Sequence, residues 1–123
     1  MGKYVVKADK NGGFHFNLKA GNGEIIANSG HYTTEKACMN GIESVKKNAP
    51  VANIEDQTVE GYTVEKNPKF EICQDKSGEF RFRLKAMNGE IIATGEGYAA
   101  KAVCKNGIES IKKNADSEVV VEE

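Results

Sequence analysis

Phe14-His15-Phe16-Asn17-Leu18-Lys19-Ala20-Gly21-Asn22-Gly23-Glu24-Ile25-Ile26-Ala27 returns 66 residues later as Phe80-Arg81-Phe82-Arg83-Leu84-Lys85-Ala86-Met87-Asn88-Gly89-Glu90-Ile91-Ile92-Ala93. In both stretches apolar and polar residues alternate with the two-residue period of a strand covered on one side. Phe14, Phe16 and Leu18 therefore share one face and His15, Asn17 and Lys19 the other; in the second stretch the faces are Phe80, Phe82, Leu84 and Arg81, Arg83, Lys85. Asn22-Gly23 and Asn88-Gly89 follow, a dipeptide that predicts a type I′ hairpin turn, and then third strands over 24–28 and 90–94.

Extending the comparison outward, Tyr4 to Ala49 aligns on Phe70 to Ala115 without a gap, and 25 of the 46 positions are identical. The chain is a tandem duplication. Each copy opens on a strand, Tyr4-Val5-Val6-Lys7-Ala8 or Phe70-Glu71-Ile72-Cys73-Gln74, closed by a glycine-bearing turn at Gly12 or Gly78. After the third strand a glycine-containing connection leads to a helix over 34–48, with Thr33 or Thr34 as its cap. Cys38, Ile42, Val45 and Ala49 form its apolar stripe, repeated as Cys104, Ile108, Ile111 and Ala115. Gly41 and Gly107, beside the stripes, imply a close approach to the helix backbone. The same offset of 66 carried past the helix aligns Asn53–Gln57 with Val119–Glu123 as a further short strand.

The unit is thus β-β-β-α-(β), and the fold class is α+β: antiparallel sheets, each covered by one helix. A lone unit of about 50 residues buries too little surface to be robust. The two are therefore expected to form one compact pseudo-twofold domain that exchanges its edge strands. The boundaries are 1–57 for the first repeat, 58–68 for a linker, and 69–123 for the second repeat.

Asp75-Lys76-Ser77-Gly78-Glu79-Phe80-Arg81-Phe82-Arg83-Leu84-Lys85-Ala86, Asn88 to Ala93, Gly97-Tyr98 and Asn106 to Ala115 resemble the YegP-like family of tandem bacterial domains. The resemblance implies an α+β fold in a small cytoplasmic protein, with no agreed activity, catalytic residue or cofactor. The first copy departs from the family pattern at Gly13, His15 and Asn17, where the second has Glu79, Arg81 and Arg83.

Composition narrows function by exclusion. The 123 residues carry a formal charge of -1, which gives no general attraction for a polyanion. No apolar run is long enough to span a membrane, and no secretory leader is read at the N-terminus. Three cysteines with no Cys-x-x-Cys pair argue for free thiols in a reducing compartment, hence a cytoplasmic protein. His15, His31 and the cysteines lack metal-ligand spacing, so neither metal nor cofactor is expected. His15 is replaced by Arg81 in the other copy and cannot be a repeated catalytic base, and no glycine pattern suits a phosphate loop. No catalytic residue is assigned.

The leading expectation is a non-enzymatic interaction or structural module, a monomer or weak dimer whose partner is a protein. Nucleic-acid or other polyanion binding is the alternative, through the basic face of Arg81, Arg83 and Lys85 with Lys19 from the first copy. Against it, Phe80 and Phe82 alternate with the arginines and so face the core, not a stacked base. The acidic residues 116, 118, 122 and 123 make the C-terminus a poor nucleic-acid arm. A small enzyme is the remaining alternative, and a pocket joining Glu24 or Glu90 to His31, Tyr32 or Tyr98 would favour it.

Overall fold

A computed structural model describes residues 2–121, so residues 122 and 123 of the acidic tail lie outside it. The first copy supplies β1 (Lys3–Ala8), β2 (Phe14–Lys19), β3 (Ile25–Asn28), α1 (Glu35–Asn48) and, after a 3-10 turn (Ala49–Val51), β4 (Asn53–Asp56). The second supplies β5 (Lys69–Gln74), β6 (Phe80–Lys85), β7 (Ile91–Thr94), α2 (Lys101–Asn114) and β8 (Glu118–Val121).

The duplicated unit and the exchange of its last strand are both present. β4 leaves the first copy to pair with β5, and β8 returns to pair with β1, each in parallel. The remaining pairs are antiparallel. The two sheets also join where Asn28 of β3 faces Thr94 of β7, giving one sheet of eight strands in the order β4-β5-β6-β7-β3-β2-β1-β8. Only β4 and β8 are left as edges.

One core fills the helix side of this sheet. Tyr4, Phe16, Leu18, Phe70, Ile72, Phe82 and Leu84 point into it, met by Cys38, Ile42 and Val45 of α1 and Cys104, Ile108 and Ile111 of α2. Phe82 is 2% exposed, so the alternation read from the sequence holds on the second strand of the repeat. Each helix straddles the boundary between copies: α1 lies over β2 and reaches β7, and α2 lies over β6 and reaches β3. Tyr4 of β1 donates its hydroxyl hydrogen to the Ala115 carbonyl beyond α2 at 2.7 Å, another tie between copies.

Three local expectations are corrected. Asn22-Gly23 and Asn88-Gly89 are not type I′ turns, because only the glycines have positive φ, 87° and 85°. The Ala20 amide bonds the Glu24 carbonyl and the Gly23 amide bonds the Ala20 carbonyl, both at 2.9 Å, which is a type I turn closed by a left-handed glycine. Asn22 Oδ1 accepts the Glu24 N–H at 3.0 Å, so the side chain closes the loop without Asn22 leaving the right-handed region. Gly12, Gly23, Gly78 and Gly89 close all four hairpins this way.

The fourth strands do not keep the offset of 66. Lys3 faces Glu118 and its equivalent Lys69 faces Asn53, so past the helix the offset is 65. The turn containing Pro50 uses one residue more than Asp116-Ser117. A slip of one residue exchanges strand faces, so Glu55 corresponds to Val120 and not to Val121.

Asn17, expected on a wet face, is only 8% exposed. It sits inside a row of facing residues that crosses every strand on the side away from the helices: Glu55, Glu71, Arg83, Thr94, Asn28, Asn17, Val5 and Val120. With Val5 on one flank and Asn28 on the other, a central-strand Asn is shielded by its neighbours.

Candidate binding surfaces

The basic strand expected to meet a polyanion is where the alternation placed it, but its charges are already engaged. Arg81 Nε donates to Asp75 Oδ2 at 2.7 Å, and Arg83 Nε donates to Glu71 Oε1. Lys85 Nζ lies 3.3 Å from Glu71 Oε2. Lys69, on the same face of the next strand, is 2.8 Å from Glu55 and 3.3 Å from Glu71. Four cationic heads thus meet three carboxylates. Lys19 is half-buried opposite Lys3, on the same face but in the other half of the sheet, and joins none of these pairs among the described residues.

Glu55 and Glu71 are almost fully buried, and the segment after β4 supplies the cover: Gln57 Nε2 donates to Glu55 Oε2 at 2.6 Å and the Glu65 amide to Oε1 at 2.7 Å. Burial alone pushes the Glu55 carboxyl up; hydrogen bonds from Gln57, Lys69 and the Glu65 amide outweigh it and bring it down to about 2. For Glu71, burial is likewise outweighed, by Arg83 and Lys85, and the result is lowered. An acidic partner network of this kind is invisible in the sequence because its members come from β4, β5, β6 and the linker.

Cys38 and Cys104 are buried on the helix stripes, and burial pushes both thiols up to about 11. Cys73 is half-buried opposite Arg81, beside a shallow hollow of 270 Å³ lined by Arg81, Arg83 and Thr94. His15 and His31 both turn Nδ1 to Asp9, His31 at 2.6 Å. Those bonds, His15 first, hold the Asp9 carboxyl below its ordinary value. Among the described residues no group of three or more His, Cys, Asp or Glu is placed to hold a metal ion.

Two grooves on the helix side are made by both copies together. In one, α1 and the loop before it contribute Tyr32, Ala37, Asn40, Gly41 and Ser44, and the second copy's hairpin contributes Ala86, Asn88, Glu90 and Ile92, around 250 Å³. In the other, α2 and its loop contribute Tyr98, Val103, Asn106, Gly107 and Ser110 opposite Ala20, Asn22, Glu24 and Ile26, around 220 Å³. The residues correspond one for one at the offset of 66, and eight of the nine positions are identical, Ala37 and Val103 being the exception.

The position of each tyrosine follows from local packing. Tyr32 bridges back to Phe14 and its ring stacks on Phe16 at 6.2 Å, as Tyr98 does on Phe82 at 6.4 Å. A Cβ on Gly41 would lie 2.3 Å from the Tyr32 hydroxyl oxygen, so the close approach expected at this glycine is made by the tyrosine. Burial raises the Tyr32 phenol, and the nearby Cys38 and Glu90 add to the shift. In the sequence these residues belong to turn and helix blocks, and nothing local joins the glutamates to the tyrosines. The signal available was that the most strictly repeated blocks, Asn-Gly-Glu-Ile-Ile and Asn-Gly-Ile-Glu-Ser, hold most of the lining.

No helix among the described residues is long and apolar enough to cross a membrane. Comparison with known proteins agrees with the doubled architecture. The family described as Domain of unknown function (DUF1508) matches twice, over residues 9–56 and 75–122. The UPF0339 protein YegP of Yersinia pestis is 38% identical over 120 residues, 98% of this chain and 94% of the relative. A UPF0339 protein of Treponema denticola is 65% identical over 54 residues, 44% of this chain but 93% of the relative, so it corresponds to a single copy. The solution NMR structure of the YegP protein from E. coli, a protein of unknown function, superposes with a TM-score of 0.81 at 31% identity, covering 98% of this chain and 92% of that one. A UPF0339 protein structure from Shewanella oneidensis gives 0.78 at 33% identity, again covering 98% of this chain and 92% of that one. Two matches to one domain, full-length relatives and a fold shared with their solved structures make this chain a member of the UPF0339/YegP family, whose function is unknown.

Proposed function

We propose that the protein is a non-enzymatic interaction module, a monomer or weak dimer, that engages a protein partner through the two grooves between its copies. The observation that carries this reading is their equivalence: eight of nine lining positions are identical, so the same chemistry is offered twice about the pseudo-twofold axis. The grooves measure 250 and 220 Å³, and the first adjoins a hollow of 370 Å³ with which it shares Asn40, Ser44, Ala86 and Asn88. Glu90 shares its groove with Tyr32 and Ser44, and Glu24 shares its own with Tyr98 and Ser110, which is the grouping that favours the enzyme alternative, but no histidine, cysteine or lysine lines either groove among the described residues to serve as a base near neutral pH. Polyanion binding draws little support from arginines already held by Asp75 and Glu71. The three free thiols support a cytoplasmic setting.

A chemically varied fragment set, screened by amide NMR on the labelled protein, tests the reading. Hits should move the Asn40-Gly41 and Glu90 signals together with those of Asn106-Gly107 and Glu24. Hits gathered at the hollow beside Cys73, or turnover of a bound fragment, would overturn it.

A further inference from the structure

Four carboxylates in and beside β4 and β5 are matched to a cation. Asp75 holds Arg81, Glu71 holds Arg83 and Lys85, Glu55 holds Lys69, and Asp56 holds Lys101 at 3.0 Å. Glu24 and Glu90, like Glu43 in the hollow beside the first groove, have no such partner among the described residues: each is exposed and is the sole charged residue lining its own groove, and the first groove shares Asn40, Ser44, Ala86 and Asn88 with that hollow, which also carries Lys47. Beside Glu90, the Asn40 carboxamide makes no hydrogen bond to the described residues, and the same is true of Asn106 beside Glu24. The Tyr32 or Tyr98 hydroxyl completes a set of oxygen acceptors around a short apolar wall of Ile92 or Ile26. An unbalanced carboxylate, a free carboxamide oxygen and a phenol oxygen above an aliphatic wall are the complement of a charged N–H donor carried on a hydrocarbon stem.

We propose that each groove takes an ammonium-tipped aliphatic side chain, a lysine presented by the partner protein, with its head on Glu90 and Asn40 in one groove or on Glu24 and Asn106 in the other. The inference rests on the reading of the grooves as the binding surface and adds the chemistry of the ligand. The ammonium donates to the carboxylate and carboxamide oxygens while the stem covers Ile92 or Ile26. Two such sites on one molecule favour a partner that offers two lysines, since the second contact becomes intramolecular once the first has formed.

The probe is acetyl-Gly-Lys-Gly-amide, titrated at low salt into the intact labelled protein and followed by amide NMR. The amides of Gly23, Glu24, Asn106 and Gly107 and of Gly89, Glu90, Asn40 and Gly41 should shift and saturate. The same peptide acetylated on the lysine amine should bind about tenfold more weakly, because the charge-assisted hydrogen bonds are lost. Glu90→Gln should abolish the response of its own groove alone, and Glu24→Gln that of the other. Both carboxylates are exposed, so these variants keep the fold, which the undisturbed remainder of each spectrum verifies. Equal binding of the acetylated peptide overturns the ammonium inference and leaves the groove reading standing. No shift in either groove, with neutral fragments still bound there, does the same; no shift with any probe removes both. Spermidine binding more than about tenfold tighter than the lysine peptide would overturn lysine as the source of the ammonium.

Discussion

Val5 and Glu71 occupy equivalent places on β1 and β5, Asn17 and Arg83 on β2 and β6, and Val120 and Glu55 on β8 and β4. Toward the helices the two halves carry nearly the same side chains; away from them the central row of one half is neutral, Val5, Asn17 and Val120, and that of the other belongs to an ion network under the linker. The helix-facing positions are constrained by one shared core, where a changed volume is felt on both sides of the pseudo-axis. On the open face a cross-strand row needs only to be self-consistent. Val5 with Asn17 and Glu71 with Arg83 are two solutions to that requirement, and the second fixes its arginine against an internal partner.

The largest expected effect comes from breaking the network at its centre. Lys69→Met strands the buried Glu55 carboxylate, while Glu71 keeps Arg83 and Lys85, and should cost on the order of 3 kcal/mol, whereas the equivalent Lys3→Met, at an exposed position, should change stability by less than about 0.5 kcal/mol. Urea denaturation of both variants decides it, and equal losses would remove the contrast between the halves. Acid sharpens the same experiment. Glu55 is lowered from an ordinary 4.5 to about 2, so its contribution is complete above 4.5 and disappears as the pH falls toward 2; Glu71 shifts in the same direction. Lys69 is raised, chiefly by its bond to Glu55, so its share is complete below 10.5 and fades only above it. Protonation relieves the stranded Glu55 carboxylate of Lys69→Met, and the gap between that variant and the unaltered protein should narrow below about pH 4.

A middle-sized effect separates the two helix glycines. A Cβ at Gly41 would meet the Tyr32 hydroxyl at 2.3 Å and its ring carbon at 2.7 Å, against 2.8 and 3.3 Å for Tyr98 at Gly107. Gly41→Ala should therefore lose about 1–3 kcal/mol to overpacking. In Gly107→Ala the helix-propensity gain of about 0.5–1 kcal/mol offsets most of a smaller clash. Thermal denaturation of the pair tests whether the two grooves are equally tight.

The smallest effect concerns the helix caps. Thr34 Oγ1 accepts the Ala37 amide at 3.0 Å, while Ala100, its counterpart at α2, has no side-chain acceptor to offer. Thr34→Ala should cost about 1 kcal/mol, and Ala100→Thr should recover part of that amount for α2. If hydrogen exchange in the first turn of α2 is unchanged by Ala100→Thr, the cap difference between the halves has no energetic weight.

Much of this was legible because the rules involved are local. Alternation over Phe14–Lys19 and Phe80–Lys85 fixed which side chains face the core, and the spacing of Cys38, Ile42 and Val45 fixed the helix stripe. Candidate surfaces were legible only in part. Arg81, Arg83 and Lys85 do lie on one face, but the acids that neutralise them are Asp75, Glu71 and, through Lys69, Glu55, at separations no periodicity links. The turn type was misread at Asn22 because a side-chain bond to the Glu24 amide supplied what a left-handed backbone would have supplied.

The amino-acid order on its own dictated the repeat, the three antiparallel strands and helix of each copy, and the need for a second copy to cover the first, since these follow from side-chain period, turn residues and the surface a short chain can bury. Three-dimensional packing alone settled where each last strand goes, which of its faces turns inward after the one-residue change at Pro50, how the sheets meet at Asn28 and Thr94, and which glutamates remain unmatched. Those outcomes depend on groups that are distant along the chain and adjacent in space, where pairing register and burial, rather than local preference, set the energy.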